Sequence, residues 1–157
     1  MITKANIVPA SRQDIAGMLD NTVWTHEFSW QQLMVLGDYF QLCSMPAQAL
    51  IYDEGDGGDS MGILVKGSAK VCKGNKLLTH LKAGRAFGEM SLLDQQCRSA
   101  TVIALEECTF LSISRANFEK LSQEHPALAL KMVLKIARLL SQALRQTSGQ
   151  LCEFLQE

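Results

Sequence analysis

Residues 43–113 consist of short runs rich in Val, Ile, Leu and Thr, separated by glycine turns. Segments of this kind bury one face each and pair through tight turns, so they build a sandwich or a roll. The spacing predicts strands over 49–52, 61–65, 68–73, 76–81, 101–104 and 109–113. Lys66-Gly67 and Ala83-Gly84 are turns, and Gly74-Asn75 is a two-residue hairpin signal between the third and fourth runs. Between the first two runs lies the acidic, glycine-rich loop 53–59. Its alternating Asp and Gly resemble a calcium loop, but that motif needs a glutamate at its twelfth position. Counted from Asp53, that position is Leu64, so the loop reads as a solvated turn and no metal site is expected.

The flanks are helical. Residues 1–28 form a weakly patterned extension in which Pro9 breaks any early helix and 11–14 cap a short one through Leu19. Ser29 with Gln32 three residues on is a capping box, and Leu33, Leu36, Gly37 and Phe40 follow at helical spacing, which predicts a helix over 29–42. After the strands, Ser114 caps a short helix over 115–123 that stops before His125-Pro126. A long helix then runs from Pro126 to about Gln156. Leu130, Ala137, Leu144 and Leu151, with Val133, Leu140, Thr147 and Phe154, form a heptad seam suited to a parallel homodimer. A second stripe, Met132, Ile136, Leu139 and Ala143, is free to cover the β-body. Gly149 within the seam costs about 1 kcal/mol relative to alanine and favours fraying of the last turns.

At 157 residues the chain suits one domain with one core. A net charge of −1 gives no general attraction to nucleic acid or anionic membranes. The sequence holds no apolar run long enough for a spanning helix and no signal-peptide core at its start, so a cytoplasmic location is expected. Five scattered cysteines without a Cys-x-x-Cys pair argue against a disulfide scaffold and a zinc knuckle.

Chemistry concentrates in residues 87–102, which hold a glycine turn at Gly88, one acid at Glu89 and one arginine at Arg98, among small residues whose backbone a ligand can approach. An arginine fork with free backbone N–H groups suits a phosphate. An ionised carboxylate only accepts hydrogen bonds, so it suits a sugar hydroxyl. A phosphate joined to a ribose satisfies both; the alternative is a structural Glu89–Arg98 ion pair in an empty pocket.

These residues resemble the cyclic nucleotide-binding domain family, over about residues 29–144. Met45-Pro46-Ala47 through Tyr52-Asp53-Glu54-Gly55-Asp56 resembles the family's first strands and its Glu-Gly-Asp loop. Ile63-Leu64-Val65-Lys66-Gly67 through Lys70-Val71 resembles the strand–glycine–strand step that follows. Phe87-Gly88-Glu89 and Arg98-Ser99-Ala100-Thr101-Val102 resemble the opening and close of its phosphate-binding cassette. The resemblance implies a mainly β fold, an eight-stranded β-roll of jelly-roll type with an N-terminal helix and a long C-terminal helix. It implies that Arg98 and Ser99 bind the phosphate, that Glu89 accepts from the ribose 2′-hydroxyl, and that N–H groups near Gly88, Glu89 and Ala100 complete the anion site. Val71, Leu78 and Met90 are candidate walls for the base.

Two departures stand out: many family members have glycine where Gln48 stands and an aromatic where Gly62 stands, which predicts lost core volume at Gly62. In the transcription-factor branch, hydroxyl side chains on the long helix contact the base. Counted from Pro126, those positions are Ala143 and Leu144, with Thr147 and Ser148 a turn later, so Leu144 becomes a candidate apolar lid. No recognition helix is expected after the long helix, and hence no direct contact with nucleic acid. The dispersed His26, His80 and His125 argue against a haem sensor, and no catalytic group is recognisable. The expectation is a non-enzymatic sensor without a cofactor whose ligand is a cyclic nucleotide, cAMP before cGMP, signalling to a partner or a dimer. The alternative is a ligand-free interaction module.

Overall fold

A computed structural model describes residues 4–156. Two compact units divide the chain, Met1–Glu119 and Lys120–Glu157.

The first unit opens with β1 (Asn6–Val8), α1 (Arg12–Asp20), a 3-10 turn (Val23–Thr25) and α2 (Trp30–Leu36). Both helices begin with a complete capping box: Ser29 with Gln32, as the sequence pattern predicts, and Ser11 with Asp14, where the sequence predicts a cap. The helix expected over 29–42 is shorter, because Leu36 is its last residue and Gly37 its C-cap. A β-carbon on Gly37 would lie 2.6 Å from the Arg12 carbonyl oxygen, so the close approach of α1 to α2 requires glycine there. Gln41 and Leu42, assigned to the end of that helix, instead open β2 (Gln41–Met45), which pairs with β1 on one side and β9 (Cys108–Ser114) on the other.

The remaining strands are β3 (Leu50–Tyr52), β4 (Ser60–Lys66), β5 (Ala69–Lys73), β6 (Lys76–Leu81), β7 (Ala86–Phe87) and β8 (Thr101–Ala104). Their pairings are antiparallel, in a five-stranded sheet of order β1-β2-β9-β4-β7 and a four-stranded sheet of order β3-β8-β5-β6. The fold is the expected jelly-roll with flanking helices. The described residues hold nine strands rather than eight, and the short β1 and β7 carry too few residues to show a period in the sequence. Met45, Ile51, Leu64, Ala69, Phe87 and Phe110 are buried in the core.

Both family departures have a structural account. The volume expected to be missing at Gly62 is filled, since a β-carbon there would lie 2.5 Å from Cζ of Phe87. The Phe87 ring also packs edge-on against Phe110, with centroids 5.5 Å apart. Gln48 adopts a left-handed backbone at φ 65°, a conformation that glycine accepts without strain.

α4 (Arg115–Glu124) follows β9 and spans the boundary between the units. The second unit is dominated by α5 (Pro126–Gln156), close to its predicted bounds. Its buried residues, Leu128, Ala129, Met132 and Ile136, lie in the first turns, so the second stripe is half realised as a buried face. Of the heptad seam, Leu130, Leu144, Leu151 and Phe154 are exposed. No helix among the described residues is long and apolar enough to cross a membrane.

Candidate functional site

The segment between β7 and β8 is built around Gly88. Its backbone is left-handed (φ 75°) and turns the chain into α3 (Glu89–Asp94), a short helix the sequence pattern did not announce. A side chain at Gly88 is excluded on two sides, because a β-carbon would lie 2.6 Å from Cε2 of Tyr52 and 2.7 Å from Nη1 of Arg98. α3 ends at Gln95, also left-handed, and the chain returns towards Arg98.

The acidic loop holds this return in place. The Arg98 N–H donates to the Asp56 carbonyl at 2.8 Å, and the Gly55 N–H donates to the Arg98 carbonyl at 2.9 Å. Thr101 Oγ1 donates to Asp53 at 3.2 Å and accepts from the Glu54 N–H at 3.1 Å. The loop expected to be only a solvated turn is therefore a clamp on the cassette's close. Among the described residues no cluster of His, Cys, Asp or Glu is arranged to hold a metal ion.

Arg98 is the chemical centre, with its side chain turned inward and only 6% of the residue exposed. Nη1 donates to the Ser60 carbonyl at 2.7 Å and to the Gly88 carbonyl at 3.1 Å, and Nη2 donates to Ser60 Oγ at 3.1 Å. One face of the guanidinium lies on the Tyr52 ring. Among the described residues no carboxylate forms an ion pair with it. A buried cation held only by neutral dipoles retains strong attraction for an anion.

Glu89 is half-buried at the first position of α3 and forms no ion pair with Arg98 among the described residues. Burial pushes its carboxyl pKa up, against the bond from its own backbone N–H and the nearby positive charge of Arg98. Burial likewise raises the Tyr52 phenol, against the Arg98 charge. The structural ion pair that would have closed an empty pocket is thus not formed.

The structure brings Gly88, Arg98, Ser99 and Met90 together: Gly88 touches Arg98, and Ser99 Oγ donates to Met90 Sδ at 3.7 Å. Ala100 is half-buried between Ser99 and the start of β8. Val71 packs against the core, whereas Leu78 is exposed on β6. Leu144 lies on α5 in the second unit and is exposed. The sequence reading missed Tyr52, Gly58 and Ser60 as parts of this site. All three lie far from the cassette in sequence, and none belongs to a motif that predicts contact with Arg98.

A family profile described as cyclic nucleotide-binding domain matches residues 42–125. The cyclic AMP receptor protein of Thermus thermophilus is 28% identical over 123 residues, 75% of this chain and 57% of that protein. A cyclic nucleotide-gated potassium channel of Mesorhizobium japonicum is 38% identical over 86 residues, 55% of this chain and 24% of the channel. The chain thus spans little more than half of the first relative and about a quarter of the second. Among solved structures, a cyclic nucleotide-binding domain from Methylobacillus flagellatus superposes with a TM-score of 0.76 at 25% identity, covering 88% of this chain and 81% of that one. The profile covers more than half of the sequence and includes the whole segment around Arg98, and the chain belongs to the cyclic nucleotide-binding domain family.

Proposed function

We propose that this cyclic nucleotide-binding regulatory domain is a non-enzymatic cytoplasmic sensor that binds cAMP in preference to cGMP, through Gly88, Glu89, Met90, Arg98, Ser99 and Ala100. The observation that carries the reading is the buried Arg98 guanidinium, without a carboxylate partner and beside a half-buried Glu89. A cyclic phosphodiester brings one negative charge and no further ionisation, which matches one arginine. The carboxylate belongs on the ribose side, since two anions repel. Preference for cAMP takes its support from the relative named as a cyclic AMP receptor protein. The exposed Leu130, Leu144, Leu151 and Phe154 on α5 support a homodimer through that helix, with the signal passing to the dimer or to a further partner.

Thermal unfolding with cAMP and cGMP tests the reading. Ligand at about one hundred times its dissociation constant adds roughly 2.7 kcal/mol of stability. No shift with either nucleotide at millimolar concentration removes the sensor and leaves an interaction module. In that case Leu140→Glu destroys function and Arg98→Ala does not.

A further inference from the structure

Lys73, the last residue of β5, reaches from the tip of the β5–β6 hairpin to the close of the cassette. Its Nζ donates to the Ser99 carbonyl at 2.9 Å and lies 3.4 Å from Oε1 of Glu54. Glu54 is itself anchored, as its Oε2 accepts the Gly74 N–H at 3.0 Å and its own N–H donates to Thr101 Oγ1 at 3.1 Å. Ser99 lies outside the sheet ladder, which begins at Thr101 paired with Cys72. Lys73 is therefore what holds the carbonyl end of the Ser99–Ala100 peptide.

A trans peptide is planar, with its C=O and N–H pointing in opposite directions. Pinning the Ser99 oxygen on the hairpin side therefore fixes the Ala100 N–H on the other side. That N–H donates to no backbone acceptor among the described residues. We propose that Lys73, held by Glu54, is a positioning residue that aims the Ala100 N–H at the anionic group bound by Arg98. The inference rests on the cyclic nucleotide reading and names a residue outside the cassette that tunes the affinity of the same site.

A direct charge effect of Lys73 on the phosphate makes the opposite prediction for Glu54. Glu54→Gln leaves the ammonium in place and makes the surroundings more positive, so a charge effect tightens binding. A positioning role weakens it, because Lys73 loses its anchor. The test is calorimetric titration of cAMP into the full chain and its variants, with the 1H,15N signal of Ala100 followed by NMR. Lys73→Met is expected to lower affinity about three- to ten-fold, the range of one hydrogen bond, and Glu54→Gln to lower it in the same direction. On adding nucleotide, the Ala100 amide proton is expected to move downfield in the native chain and less in Lys73→Met, with Lys73→Arg restoring both readouts. Native affinity in Lys73→Met, tighter binding in Glu54→Gln, or an Ala100 shift indifferent to Lys73 overturns the proposal while the Arg98 site stands. If the native chain binds no cyclic nucleotide, the functional reading fails and this inference fails with it.

Discussion

The guanidinium carbon of Arg98 lies 3.5 Å from the centre of the Tyr52 ring. The ring supplies a platform under the cation, and its hydroxyl lies 3.2 Å from Oγ of Ser60, which in turn accepts from Arg98. Tyr52 thus fixes the guanidinium both by stacking and through Ser60. A desolvated cation–π contact is worth about 2 kcal/mol. Tyr52→Leu is expected to lower the unfolding free energy by at least that much and to weaken nucleotide binding, whereas Tyr52→Phe keeps the platform and costs about 1 kcal/mol for the lost hydroxyl contact. Urea unfolding of both variants checks the order.

Gly58 lies where the cassette helix meets β4. A β-carbon there would lie 2.3 Å from Cβ and Oγ of the buried Ser91 and 3.1 Å from Nε of Arg98. Arg115 Nη2 donates to both the Gly58 and the Ser91 carbonyls at 2.6 Å, which leaves α3 little room to withdraw. Gly58→Ala is expected to destabilise the fold by about 1–3 kcal/mol and to disturb Arg98. Gly57→Ala meets nothing within 4 Å and serves as the control, with a melting temperature close to native.

Glu89 gives the ligand-free protein a pH dependence. Burial raises its pKa, so the folded state prefers the protonated carboxyl. The stability this contributes is fully present below the ordinary glutamate value of about 4.3 and is lost as pH rises through the raised folded value. Glu89→Gln cannot ionise and escapes that loss. At neutral pH the ligand-free variant is expected to be more stable than the native chain, with the gain vanishing at about pH 4 and below. Denaturant midpoints measured across that range test the sign.

Gln48 holds a left-handed backbone, with its N–H bonded to the Ala104 carbonyl at 2.8 Å. That conformation costs a side-chain-bearing residue about 1–2 kcal/mol, partly offset by the greater freedom glycine gives the unfolded chain. Gln48→Gly is therefore expected to raise the melting temperature slightly. A fall would mean that the long side-chain contact of Nε2 with the Leu105 carbonyl, at 3.5 Å, outweighs the strain.

Local signals carried most of the fold. The cap at Ser11, the capping box at Ser29, the Gly74-Asn75 hairpin and the period of the β-runs all act within a few residues, and the structure follows them. The extent of α2 was not legible, because its end depends on the close contact between Gly37 and Arg12 and on pairing of Gln41–Met45 with β9. In the site, Gly88, Glu89 and Arg98 were legible as a cassette. The partners that hold Arg98, Ser60 and Tyr52, were not, since Ser60 lies 38 positions away in sequence and meets it only through the roll. The Phe87 ring over Gly62 belongs to the same class: an apparent loss of volume at one position is filled from a strand that becomes its neighbour on folding.

Calorimetric titration of cAMP into the native chain and into Arg98→Ala, with circular dichroism to confirm that the variant is folded, tests the central claim most directly. Saturable one-site binding to the native chain, lost in a folded Arg98→Ala, is the predicted result. Equal heats for the two proteins, or no heat from the native chain at millimolar nucleotide, would contradict it.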